Sequence, residues 1–212
     1  MHEATSRSTL KLAVAPGVPS SQFSTLLARQ RAEAPDVTLT FFEVASDVLL
    51  DGLLADRYDV GLTLQGYSDP TLKMQLLWTE NMAVAMSPQF YLSGQAMLTI
   101  ADLQGYLVYR WQAEACPLLD ERLASLMPVD QENLQRVTSF EMMALWVAAG
   151  YGVGVSTRSR IERAHEWGIT VRPLAGGPYE IATYLQRPHA HANSTSERFE
   201  RRALQVTGAG VT

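Results

Sequence analysis

Residues 10–64 read LKLAVAPGVPSSQFSTLLARQRAEAPDVTLTFFEVASDVLLDGLLADRYDVGLTL, and the order of apolar runs in this stretch decides the fold class. Residues 10–15 (LKLAVA) form a short apolar run ended by Pro16-Gly17, the pattern of a buried strand followed by a turn. Phe23, Leu26 and Leu27 follow at helical spacing behind Ser20 and Ser21. A serine is a natural N-cap, so a helix is predicted over about 20–33, stopped by Pro35-Asp36. Residues 37–44 (VTLTFFEV) alternate and are rich in β-branched and aromatic side chains, which predicts a second strand. Ser46-Asp47 can cap a second helix carrying Val48, Leu49, Leu53 and Leu54, and residues 58–64 (YDVGLTL) give a third strand. Strand, helix, strand, helix, strand means a parallel sheet with crossover helices.

Further along, residues 72–78 and 82–86 read as two separate strands, and a fresh α/β series follows. Strands are predicted at 106–110, 134–137, 153–156, 169–174 and 181–186. Helices are predicted at 118–126, from a Ser139 cap to about 149, at 158–165 and at 194–204. No repeat, low-complexity tract or Pro/Gly/Ser-rich linker separates two autonomous domains. The expected class is therefore α/β, with two Rossmann-like lobes joined by crossing strands near residues 83–87 and 184–187. Lobe I is expected over 9–85 with 186–207 and lobe II over 86–185, residues 1–8 being a leader or linker remnant and 208–212 a tail. A crevice between such lobes, at the carboxyl ends of the strands, is where a small ligand is expected.

The chain has 212 residues, 47% of them hydrophobic, which is enough to build a core. Its formal net charge of -5 argues against direct phosphate neutralisation by this polypeptide, because nucleic-acid binders carry a basic face. The single cysteine, Cys116, permits no internal disulfide and fits a reducing compartment. It precedes Pro117 at a predicted helix start, where a redox role competes with that of an inert buried thiol. The most apolar stretch, 142–155, is too short to span a membrane, and the first residues lack the apolar core of a secretion signal. A cytoplasmic protein without membrane contact is expected.

Several phrases together resemble the effector-binding domain of LysR-type transcriptional regulators. Residues 10–64 are similar to its first lobe, including Pro35-Asp36-Val37 and Asp59-Val60-Gly61-Leu62. The run Leu145-Trp146-Val147-Ala148-Ala149-Gly150-Tyr151-Gly152-Val153-Gly154-Val155 resembles the family's helix-to-strand phrase, although Ser156-Thr157-Arg158 follows where the family usually has proline. The resemblance runs from about Thr9 to Leu204. It implies a type 2 periplasmic-binding-protein-like fold, a homodimer or tetramer, and transcriptional control by a small anionic or aromatic effector held between two lobes. It also implies that DNA is reached only through an N-terminal winged helix-turn-helix that residues before Thr9 do not supply. A solute-binding protein of the same fold, serving transport, is the alternative.

Candidate effector contacts follow from the strand ends. The turn Gly17-Val18-Pro19-Ser20 feeds a helix whose free N–H groups and partial positive charge suit an anion, and the resemblance places an effector-contacting loop there. Ser46 sits at the equivalent turn after the second strand. For both serines, capping their own helix is the competing role. In the second lobe Ser139 and Phe140 open a helix, and Arg110, between Tyr109 and Trp111, can clamp a carboxylate bidentately; a surface arginine beside a half-buried aromatic is the plainer alternative. Gly150-x-Gly152-x-Gly154 follows a helix and enters a strand, the reverse of a dinucleotide loop, so Gly150 is expected to end the helix in a left-handed conformation. His189 and His191 form an H-x-H pair in a polar turn without further ligands, so no metal is expected, and no cofactor. No nucleophile elbow, zinc-protease motif or Walker loop is present, and no enzyme is expected. Leu49, Leu53 and Leu54 are candidates both for core packing and for a dimer surface.

Overall fold

The computed structural model describes residues 8–18, 20–64, 66, 69–111, 117–126, 133–189 and 194–208. The chain divides into two compact units, one built from Met1–Trp78 with Ala182–Thr212 and one from Thr79–Ile181.

The first unit contains β1 (Thr9–Val14), α1 (Ser20–Glu33), β2 (Thr38–Glu43), α2 (Ser46–Leu54) and β3 (Val60–Thr63). β1 is central. It pairs in parallel with β2 (Leu12 opposite Phe41) and with β3 (Leu12 opposite Val60). Its core gathers Ala13, Ala15, Leu49, Leu53, Tyr58 and Leu72. Leu49 and Leu53 are therefore core residues of α2, whereas Val48 and Leu54 on the same helix are 41% and 48% exposed.

The chain leaves this unit within β4 (Leu72–Met86) and re-enters it within β9 (Glu180–Pro188). β4 is one strand of fifteen residues rather than the two strands expected from the polar Thr79-Glu80-Asn81 interruption. Backbone pairing does not require apolar side chains. Burial is mixed from Leu72 to Asn81, with Leu77 and Trp78 both buried, and becomes continuous from Met82 to Met86, where both strand faces are covered. The remainder of the first unit is α6 (Ser194–Gly208), which packs on α1 and runs past the expected end at 204.

Glu200 of α6 is almost fully buried and accepts from Lys73 on β4 (2.6 Å) and Arg187 on β9 (2.8 Å). Arg202 of the same helix donates to Glu33 and Gln30 of α1, each at 2.9 Å. Burial pushes the Glu200 carboxyl up, but the hydrogen bonds from Lys73 and Arg187 outweigh it and hold it below its ordinary value.

The second unit repeats the topology: β5 (Val108–Trp111), α3 (Pro117–Leu126), β6 (Leu134–Val137), α4 (Phe140–Ala148), β7 (Val153–Thr157) and α5 (Arg158–Arg163). β5 is central, in parallel with β6 (Val108 opposite Leu134) and β7 (Val108 opposite Val153). β4 runs antiparallel to β7 and to β8 (Thr170–Pro173). The core includes Tyr109, Phe140, Met143, Val147, Ile161 and Ile169. Two short 3-10 turns, Tyr91–Gly94 and Ala101–Leu103, have no counterpart in the sequence reading.

α4 ends as its glycine suggests. Gly150 has φ +82°, its N–H donates to Val147 O, and the Tyr151 N–H donates to Trp146 O, the two bonds of a Schellman cap. The Trp146 and Tyr151 rings meet edge-on at 5.2 Å, the apolar contact that accompanies such a cap. Gly152 serves a different need: a Cβ there would lie 2.2 Å from the Leu107 carbonyl oxygen.

Two outcomes are expected. Gly152→Ala must push backbone from backbone and costs on the order of 3 kcal/mol, whereas Gly150→Ala has open space and pays about 1–2 kcal/mol for its left-handed φ. Urea midpoints that rank the two in the opposite order contradict this packing. Glu200→Gln strands Arg187 and lowers stability by about 3 kcal/mol near neutral pH. Because a depressed carboxyl pKa gives stability that is present above the unfolded value and lost on protonation, the gap between wild type and Glu200→Gln narrows as pH falls below about 4.3. Denaturant titrations at several pH values read this directly.

Candidate functional site

Parallel pairing brings strand ends together, and helices begin there. In the first unit Val14 ends β1 opposite Glu43 and beside Leu62. The turn beyond it is fixed by the Ala15 N–H donating to Leu62 O (2.8 Å), and the next turn by the Val44 N–H donating to Val14 O (3.1 Å). Gly17 lies in the first turn at φ +89°. Val18 is buried, its N–H directed at Ala15 O. Pro19 lies outside the described residues, and Ser20 is the first residue of α1. Ser46, half-buried, is the first residue of α2. The capping role considered for it is not what the structure shows. The cap position belongs to Ala45, which makes no side-chain cap, while the Asp47 carboxylate takes the Val48 N–H at 2.8 Å. Gly17, Val18, Ser20 and Ser46 thus share the carboxyl edge of β1 and β2.

In the second unit the corresponding edge is formed by β5, β6 and β7, with Arg110 opposite Arg136 and Val155. Ser139 caps α4, its hydroxyl oxygen accepting the Met142 N–H at 3.1 Å. Side chains alternate along β5, so Tyr109 and Trp111 share one face and Arg110 takes the other. Arg110 is 1% exposed and ion-paired with Asp120 of α3. It is an interior cation with an internal partner rather than a surface arginine.

The opposite face of β5 carries a feature the sequence reading passed over. Trp111 and Phe140 meet at 6.1 Å between ring centroids, and Phe140 meets Trp167 at 6.0 Å. The guanidinium carbon of Arg160, on α5, lies 4.4 Å from the Trp111 ring centroid and 5.7 Å from that of Phe140. Phe140 is buried, Trp111 half-buried and Trp167 51% exposed. Burial pulls the Arg160 guanidinium below its ordinary pKa and nearby Arg163 adds to this, against the opposing pull of Glu141 and Glu80. Among the described residues Arg160 makes no hydrogen bond and no ion pair. Next to it, the Ser159 hydroxyl donates to Glu80 Oε1 at 2.5 Å.

Tyr109 stacks on Trp146 at 6.4 Å and 17°, and burial raises its hydroxyl pKa, with Tyr151 contributing. Two open depressions in the second unit, about 310 Å³ beside Arg172 and about 520 Å³ beside Tyr179, are lined by none of the expected site residues. Among the described residues no cluster of metal-ligating side chains occurs, and no helix is long and apolar enough to cross a membrane. Cys116 and His191 lie outside the described residues.

Comparison with known proteins gives a consistent answer. No curated protein sequence matches the chain. Among solved structures, a full-length BenM variant superposes with a TM-score of 0.86 at 16% identity, over 98% of this chain and 70% of that one. The BenM effector binding domain with its effector benzoate gives 0.83 at 16% identity, over 97% and 95%. The effector binding domain of QuiR in complex with shikimate gives 0.80 at 16% identity, over 96% and 99%. At the sequence level, the LysR substrate binding domain model matches residues 3–206. With nearly its whole length matched and two α/β units of the same topology, the chain belongs to the LysR substrate binding domain family and has a type 2 periplasmic-binding-protein-like fold.

Proposed function

We propose that this chain is the effector-sensing part of a LysR-type transcriptional regulator. The observation that carries the reading is the family match over residues 3–206, which favours regulation over solute transport. The proposed effector-binding positions are Gly17, Val18, Pro19, Ser20 and Ser46 at one strand edge, and Arg110, Ser139 and Phe140 at the other. At the first edge, turn backbone and helix-start N–H groups suit an anion. At the second, Trp111 and Trp167, packed around the buried Phe140, suit a ring, while Arg110 acts from its pairing with Asp120. The effector is a small anionic or aromatic molecule, and it shifts a conformational equilibrium by binding one state more tightly than the other. It is sensed without chemical conversion, in the cytoplasm. The proposed lobes are 9–85 with 186–207 and 86–185, bounds that differ from those of the compact units, which change over between Trp78 and Thr79 and between Ile181 and Ala182.

The net charge of -5 supports a division of labour in which DNA is bound by a different, basic domain of the regulator. The exposed Val48 and Leu54 of α2 support assembly as a homodimer or tetramer through that helix.

A thermal-shift screen of the purified chain against aromatic and aliphatic carboxylates tests this reading. A compound at a hundred times its Kd adds about 2.7 kcal/mol to stability, and Ser46→Ala weakens that shift without lowering the melting temperature of the free protein. A broad panel without any shift removes the sensor reading. Arg110→Ala behaves differently: it strands Asp120 and empties a buried site, costing about 3 kcal/mol, so its melting temperature falls by roughly 6–12 °C in the absence of any ligand.

A further inference from the structure

Two arginines stand near the carboxyl end of β5, and they are in opposite electrostatic situations. Arg110 is sealed inside and paired with Asp120. Arg160 is half-buried, desolvated and stacked over Trp111, with neither hydrogen bond nor ion pair among the described residues. A guanidinium carbon 4.4 Å from a ring centroid is held by the ring's charge distribution without needing an acceptor, which leaves N–H donors for an anion. Its desolvation cost is already met in the folded chain, and Arg163 adds positive charge beside it, so an incoming anion is drawn here against the opposing charges of Glu141 and Glu80. The half-exposed Trp167, packed on the buried Phe140, offers flat apolar surface near the charge.

We infer that Arg160 is the residue that selects the effector, and that the group it selects is a carboxylate carried on a compact ring. Trp111 is its positioning residue, holding the guanidinium beside the Phe140 ring. This rests on the effector-sensing reading above, and it names a specificity determinant that the positions proposed there do not include.

The test titrates the purified chain with benzoate, shikimate and benzamide, by calorimetry and by indole emission, and repeats the titrations on Arg160→Gln and Arg160→Lys. A set of further ring carboxylates is included so that the outcome does not hang on one compound. The expected result is that a carboxylate binds and neutral benzamide does not. Arg160→Gln then weakens the carboxylate about tenfold to hundredfold. Arg160→Lys, which keeps the charge and loses the fork, is weakened as well. Should Arg160→Gln melt below wild type, Arg160→Lys supplies the comparison. Carboxylate binding that is equal in wild type and both variants overturns the role of Arg160 and leaves the sensor reading standing. So does binding of benzamide in preference to benzoate. Absence of binding by every compound overturns the ring-carboxylate inference, and the sensor reading falls with it only if the aliphatic carboxylates of the thermal-shift screen also give no shift.

Discussion

Parallel pairing of three strands is the constraint on which each unit depends. β1 lies between β2 and β3, and β5 between β6 and β7. Consecutive parallel strands must be joined by a crossover, and a crossover that packs back on the sheet is a helix. The polar turns and helix starts are therefore driven to one edge of each sheet, while apolar residues of α2 and α4 are driven against its face. Leu49 and Leu53 in one unit correspond to Met143 and Val147 in the other. The same topology is written in unrelated residues, which is why no repeat is detectable in the sequence.

Most of this order was legible because strands and helices impose different periods on apolar residues. The cap at Ser139 and the left-handed stop at Gly150 each have a local chemical cause, and local causes survive in one dimension, whereas Ser20, expected to cap α1, is its first residue. β4 was misread at Thr79-Glu80-Asn81 because polarity was treated as a break, whereas strand continuity is set by its partners. Ser46 was misread as a cap because the helix starts one residue earlier relative to its side chain.

The site was legible in part. The edge on which the proposed effector-binding residues gather follows from strand order alone. The state of each arginine does not. Arg110 is flanked by aromatics in sequence, yet the two-residue period of a strand turns it away from both and toward Asp120, ten residues on. Arg160 sits in the run Arg158-Ser159-Arg160-Ile161-Glu162-Arg163, where three arginines look alike by composition. Arg158 pairs with Glu162 and Arg163 donates to Ser159, so only the fold singles out the third. Trp111, Phe140 and Trp167 come from three separate segments, and nothing in their spacing announces that they meet.

The ion pairs of α6 join distant parts of the chain. β4 and β9 are the strands by which the chain leaves and re-enters the first unit, and Glu200 is tied to both, through Lys73 and Arg187. From the same helix, Arg202 reaches Glu33 and Gln30 of α1. One carboxylate thus answers two cations that lie far apart in sequence, Lys73 before the chain leaves the unit and Arg187 after it returns. Through Arg202 the same helix also holds α1, so α6 joins the earliest and latest parts of the unit by charge as well as by packing.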